Sequence, residues 1–170
     1  MSGGSPRAAV PVRRVDGRDA DDVAAVRSLR RAWSEEDAGR PLDDPTFAER
    51  FDAWWDRERE QRITWLALGS GADALGMLNV LEFERMPTPR RADRVRPSAW
   101  GYLANFYVRP DARGRGVGQA LLASCTAHAD AVGWARIVLS PSPRSVSLYA
   151  RHGFATTDGL LVRRAVDDVR

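Results

Sequence analysis

Cysteine, lysine and long apolar runs are what this sequence has least of. Cys125 is the single cysteine, so no disulfide can close within the chain, which fits the reducing cytoplasm expected for it. No uninterrupted apolar stretch approaches the roughly 20 residues that cross a membrane, and the N-terminus has no apolar segment of signal-peptide type, so no membrane partner is expected. The two histidines, His128 and His152, lack a convincing ligand set with Cys125, and no metal is expected. Lysine is absent, so the net charge of +3 and the pI near 9.7 come from arginine. An excess that small is poor ground for a nucleic-acid partner.

What is present is enough for one core. The chain has 170 residues, 44% of them hydrophobic, which suits a single globular domain over 10–170 behind a flexible tail, 1–9, of small residues, glycines and a proline. No internal repeat interrupts it.

The stretch 103–122, LANFYVRPDARGRGVGQALL, organises the rest. Leu103 to Val108 is rich in strand-favouring residues, Pro110 and Asp111 turn the chain, and Gln119 onward begins an apolar helix. Between them, Arg113-Gly114-Arg115-Gly116-Val117-Gly118 combines tight curvature, uncovered backbone N–H groups and the positive end of a helix, which suits phosphate oxygens. No Lys-Ser or Lys-Thr follows these glycines, which excludes a nucleotide-triphosphate loop. Their spacing is also wrong for a dinucleotide fold.

Arg113, Gly116 and Gly118 take the defining positions of R/Q-x-x-G-x-G/A, and Leu148-Tyr149-Ala150-Arg151-His152-Gly153-Phe154 matches a later L-Y-x-x-x-G-F. Together these resemble the acyl-coenzyme A signatures of the GNAT superfamily of N-acetyltransferases, and element order extends the resemblance over 10–167. The resemblance implies acetyl-coenzyme A as co-substrate, with the pyrophosphate on Arg113, Gly114, Arg115, Gly116, Val117, Gly118 and Gln119. It implies that the preceding strand, at Phe106, Tyr107 and Val108, splays from its neighbour to admit pantetheine, and that Tyr149 returns a proton to the departing thiolate. In the family's N-x-x-A-x-x-L-Y pattern the asparagine falls at Ser142 and the alanine at Ser145, so these two coenzyme contacts depart from the pattern.

Upstream, a strand is expected within Val10–Val15, then a helix capped by Asp19 or Asp21, and a second helix over Thr46–Gln61 carrying Phe47, Phe51, Trp54 and Trp55. In the resemblance this region borders the acceptor site, so Glu35, Glu36, Asp37, Asp43 and Asp44 could attract a cationic amine; taken singly, each reads better as solvated surface. Trp33, Trp54 and Trp55 read as core or pocket wall. Ile63–Leu68 and Ala74–Phe83 are expected as an antiparallel strand pair, with Gly76 at a bulge or close backbone contact. Glu82 and Glu84 on the second strand are candidates for a direct or water-linked base, beside bulk water and backbone carbonyls. Asn105 is a candidate to orient an acceptor.

Arg85 to Pro97, with Arg85, Arg90, Arg91, Arg94 and Arg96, reads as a long exposed connection. Cys125 reads as a buried hydrophobe, and His128 and His152 as non-catalytic. Gly133 ends the helix, and Ala135–Leu139 is a strand expected parallel to Leu103–Val108. A short helix around Arg144–Arg151 and a hairpin at Asp158-Gly159 complete the chain. The fold class is thus α/β, a GNAT-like three-layer fold with a twisted mixed, mostly antiparallel sheet and a central parallel βαβ pair.

The expected activity is acetyl transfer from acetyl-coenzyme A to a primary amine, on a small molecule or peptide, by direct attack. Two other readings stay open: a noncatalytic acyl-coenzyme A sensor or partner-binding domain, and a nucleic-acid-binding domain using 85–96. A homodimer stays open as well.

Overall fold

Asp19 starts the first helix. Its Oδ1 accepts from the amides of Asp21 (2.9 Å) and Asp22 (3.0 Å), which satisfies two donors that would otherwise lack a partner. This is α1, Ala20–Ala38, in a computed structural model that describes residues 9–86, 89 and 99–157. Gly39 ends it with φ +64°. The tail 1–8, most of the arginine-rich connection and the Asp158-Gly159 turn with its second strand lie outside the described residues. Contacts divide the chain at Ser140/Pro141 into two units.

The first unit is built on five strands: β1 Val12–Arg14, β2 Arg62–Leu68, β3 Ala74–Glu84, β4 Ala99–Val108 and β5 Arg136–Val138. They lie side by side in chain order, antiparallel except for the parallel β4–β5 pair. The loop between β2 and β3 is too short for a crossover, which forces the antiparallel pairing. Between β4 and β5 runs α3, Val117–Val132, which gives the parallel pair its βαβ connection and ends at Gly133, φ +74°. This is the mixed α/β architecture expected.

Helices cover both faces of the sheet. On one face, Val26 and Leu29 of α1 and Phe51 and Trp55 of α2, Phe47–Glu58, pack with Leu66, Met77 and Tyr107. On the other, α3 buries Val117, Leu121, Leu122, Cys125 and Ala129. The middles of β2 and β3 are therefore buried on both sides, as their near-continuous apolar sequences require. The second helix stops at Glu58, not Gln61, because Arg59–Gln61 tighten into a 3₁₀ turn before β2.

Two irregularities shape the sheet. Between β2 and β3 the register shifts at Ala67/Leu68, opposite Gly76, where an added Cβ would sit 2.7 Å from the Tyr107 carbonyl oxygen. Gly76 thus adjoins a bulge and permits the close approach of β4. Between β3 and β4, Asn79 pairs with Asn105 but Val80 pairs with Leu103, leaving Ala104 as an extra residue that bends β4.

In the second unit, a 3₁₀ turn at Pro143–Ser145 leads into α4, Val146–Arg151, so the helical stretch begins as expected but its first turn is tighter. Gly153, φ +81°, turns the chain, and Phe154 meets the edge of the Tyr149 ring at 5.5 Å.

Candidate active site

The phosphate-suited loop takes its shape from two glycines. Gly114 (φ +69°) and Gly116 (φ +86°) occupy left-handed backbone, and a Cβ built on either would meet nothing within 4 Å. Gly116 is the N-cap of α3, and no side chain caps the helix. The Ala120 amide donates to the Gly116 carbonyl at 3.0 Å, so the amides of Val117, Gly118 and Gln119 precede the intrahelical ladder. Arg115 and Gln119 are exposed beside them. Open space over uncapped amides, at the positive end of a 16-residue helix, fits a phosphate.

Upstream of the loop, the parallel ladder is interrupted. Only Trp100, Gly101 and Tyr102 pair with β5, at Arg136, Ile137 and Val138. The sequence placed this pairing at 103–108; instead the Ala104 bulge follows the paired segment, and no β5 residue pairs with Leu103 to Val108. The Arg109 amide donates to the Leu75 carbonyl across β3 at 3.0 Å, so by alternation Val108 and Phe106 turn their backbone groups towards the open edge. A slender chain with amides of its own fits along such an edge, as pantetheine would.

Arg113 does not simply project at the phosphate position. Its guanidinium donates to Glu36 of α1 at 2.7 Å and through Nε to the Val108 carbonyl at 3.0 Å, and it lies 5.8 Å from the centre of the Tyr107 ring. Burial, and then the Glu36 carboxylate that accepts from the phenol, push Tyr107 above the usual tyrosine range. The same carboxylate pushes Arg113 further up, so the guanidinium stays charged. Tyr107 stacks on Trp33 with ring centres 5.9 Å apart. The group thereby ties the end of α1 to the start of the glycine loop.

Beneath α1 and α2 lies a cavity of about 390 Å³. Val26, Phe51, Trp55 and Met77 supply apolar floor, Phe47 and Trp54 apolar wall, and Arg30, Arg50, Asn79 and Asn105 its polar points. Asn79 is 3% exposed and held on every side: its Nδ2 donates to Thr64 Oγ1 at 2.7 Å, while its Oδ1 accepts from Arg62 (3.1 Å) and from Asn105 Nδ2 (3.5 Å). Donation through Nδ2 leaves Asn105 Oδ1 as the acceptor on the β4 side of the cavity.

The remaining sequence candidates fall elsewhere. Glu82 and Glu84 follow the alternation of β3 onto the face opposite Met77 and Asn79; neither lines the cavity. The acidic stretch is largely neutralised: Glu35 pairs with Arg31 (3.6 Å), Glu36 with Arg113 and Asp44 with Arg50, leaving Asp37 and Asp43 exposed. Cys125 is fully buried, and burial pushes its thiol up to about 12, so it is no nucleophile. His128 sits between Trp65 (5.6 Å) and Trp134 (5.4 Å), and burial, then Arg14, hold it below the usual histidine range. In the second unit the Ser142 and Ser145 hydroxyls bond each other at 2.9 Å, and Tyr149 is buried. Sequence reading missed Arg30, Arg50, Arg62 and Asn79 as site residues. The helical spacing of Val26 with Arg30, and of Phe47 with Arg50, was the signal available for two of them.

A mixed sheet with a parted parallel pair, a glycine cradle at one end and an aromatic cavity beside it defines the class of α/β acyl-transfer domains. The acetyltransferase (GNAT) family model matches residues 24–154, and the chain belongs to that family. Acetyl-coenzyme A dependent acetyl transfer is that family's activity. No curated protein matches the chain. Among solved structures, a GCN5-related N-acetyltransferase from Ralstonia eutropha is 27% identical, with 92% of this chain and 99% of that one covered and a TM-score of 0.63. A predicted acetyltransferase from Clostridium acetobutylicum, solved with acetyl-coenzyme A, is similar in fold at 19% identity, 92% and 96% coverage and a TM-score of 0.65. Glucosamine-6-phosphate N-acetyltransferase from Arabidopsis thaliana is similar in fold at 13% identity, 94% and 100% coverage and 0.65.

Proposed function

We propose that this chain transfers an acetyl group from acetyl-coenzyme A to a primary amine by direct attack, with Tyr149 as general acid. The observation that carries the reading is the open cradle at Gly114 and Gly116, over the uncapped start of α3 and beside the stretch of β4 that β5 does not pair with. The amides of Val117, Gly118 and Gln119 would hold the pyrophosphate with Arg115 beside them, and the pantetheine arm would run along β4 past the Val108 amide, whose carbonyl Arg113 already holds. Arg113 acts as a positioning residue through Glu36 and Tyr107.

Acetyl-coenzyme A supplies a thioester carbonyl as electrophile. A neutral amine nitrogen forms the new bond to carbon as carbon–sulfur bonding breaks; nitrogen loses one proton and sulfur gains one. Backbone N–H groups in 105–108 are candidates to stabilise the negative charge that develops on the carbonyl oxygen. Asn105 can orient the amine through Oδ1 but cannot act as its base. With Glu82 and Glu84 on the far face, the proton leaves through water or backbone carbonyls, reaching those carboxylates only at a remove. Tyr149 as proton donor, and Ser142 and Ser145 as coenzyme contacts, rest on their motif positions.

The test is to incubate the protein with acetyl-coenzyme A and a panel of primary amines, following free thiol and acetylated product by mass spectrometry. Stoichiometric thiol and N-acetyl product are expected. Tight coenzyme binding with no product across the panel would instead establish a sensor.

A further inference from the structure

The acceptor cavity has a charge pattern opposite to the one its flanking sequence suggests. Arg30 and Arg50 line it, and among the described residues no aspartate or glutamate does. The two arginines are not equivalent. Arg50 is paired with Asp44 and donates through Nε to Thr46 Oγ1 at 3.3 Å. Arg30 instead lies over the Trp33 ring, 4.8 Å from its centre, and forms no ion pair with a described residue. Its donors are therefore uncommitted among the described residues, at the wall of a cavity lined largely by aromatic and aliphatic side chains. A guanidinium over an indole ring and only half-exposed suits a carboxylate.

The rest of the cavity limits the body of that ligand. Its volume of about 390 Å³ lies at the small end of the roughly 300–1,000 Å³ that ligand sites span, so it admits a side chain of amino-acid size. Phe47, Phe51 and Trp54 present apolar ring surface to it. On the β4 side, Asn105 Oδ1 offers an acceptor to an N–H group, oriented by the bond from Asn105 Nδ2 to the buried Asn79.

From these three features we infer that the acceptor is an amino carboxylate with an aromatic or bulky apolar side chain. The carboxylate sits on Arg30, the side chain lies among Phe47, Phe51 and Trp54, and the amine reaches Asn105 Oδ1. This rests on the acetyl-transfer reading and narrows its acceptor. The polyamines and other polycations that the acidic stretch 35–44 would have attracted are disfavoured, since three of its five carboxylates already serve as ion-pair partners.

The experiment compares matched acceptors on the full-length protein: phenylalanine, phenethylamine, which differs from it by the missing carboxylate, and spermidine. A hydrogen-bonded charge contributes roughly 1.5–3 kcal/mol, about a 10- to 150-fold advantage in kcat/KM for phenylalanine over phenethylamine. Arg30→Met keeps the stem and loses the charge, so it should reduce that ratio at least about tenfold, while Arg30→Lys restores part of it. Thermal melts establish that each variant is folded. Calorimetry with N-acetylphenylalanine in the presence of coenzyme A gives a readout independent of turnover, and weaker binding to the Arg30→Met protein is expected there too. Phenethylamine or spermidine acetylated as well as phenylalanine, or an unchanged ratio in folded Arg30→Met protein, overturns the amino carboxylate and leaves acetyl transfer standing. Coenzyme binding without acetylation of any amine overturns acetyl transfer itself; N-acetylphenylalanine that then fails to bind overturns the ligand class as well, and Arg30-dependent binding keeps it.

Discussion

Gly116 separates backbone strain from ligand binding in one position. Its φ of +86° lies where L side chains are disfavoured, yet a Cβ there meets nothing within 4 Å. Gly116→Ala therefore carries a conformational cost without a clash, about 1–2 kcal/mol. For a chain of this size each kcal/mol lowers Tm by about 2–4 °C. Gly116→Asn should melt closer to the parent, because asparagine tolerates left-handed backbone better. Both side chains, however, enter the open space through which a phosphate oxygen would reach the α3 amides in the proposed coenzyme site. Loss of one charge-assisted bond weakens coenzyme A binding by about 1.5–3 kcal/mol, roughly 10- to 150-fold in Kd. Calorimetric titration with coenzyme A, paired with circular-dichroism melts, reads both quantities. Gly39→Ala is the control: φ is +64°, the surrounding space is equally open, and the position ends α1 instead of starting α3. It should lower Tm and leave Kd within about twofold, a change worth only about 0.4 kcal/mol. A folded Gly116→Ala protein that melts lower but binds coenzyme A like the parent would refute the cradle.

Gly101→Ala should be costly for a different reason. Its Cβ would clash with Cζ3 of the half-buried Trp134 ring and lie 2.7 Å from its Cε3 and 3.0 Å from Val80 Cγ1, so about 1–3 kcal/mol of overpacking is expected in chemical denaturation. Asp22 is buried, accepts from Arg13 (2.6 Å) and the Asp16 amide (2.8 Å), and is held below the usual aspartate range chiefly by Arg13. A carboxyl depressed on folding stabilises above its unfolded pKa and loses that contribution as pH falls through the folded one. Asp22→Asn should thus cost about 1.5–3 kcal/mol at pH 7, and its deficit should shrink as pH drops below about 4 in parallel urea titrations. A deficit independent of pH would point to packing. Tyr149→Phe should leave coenzyme A affinity unchanged and slow acetyl transfer roughly 10- to 10,000-fold, less where water substitutes. Parent-like turnover under conditions where chemistry limits the rate would remove Tyr149 from the mechanism.

The sequence by itself determined the features that depend on neighbours along the chain. Asp19 caps α1 because its carboxylate reaches amides two and three residues on, Gly39 and Gly133 end helices because their backbone turns left-handed, and Gly116 opens α3 on the same local ground. The short Gly69–Asp73 loop fixed an antiparallel pair, and the 103–139 stretch, carrying a helix between two strands, fixed a parallel one. Tertiary structure decided what depends on residues far apart. Where β4 leaves β5 follows from a single extra residue, Ala104, visible only once Asn79 and Val80 are seen to pair with Asn105 and Leu103. That Glu36 answers Arg113, 77 positions away, and that Asp44 answers Arg50 turned an acidic stretch from a free attractive surface into one side of several ion pairs. The cavity's charge was hidden for the same reason. Nothing along the chain gave Arg30 a role until α2, β3 and β4 folded in around it, because the sign of a site is the sum of groups that the chain brings together from four separate elements.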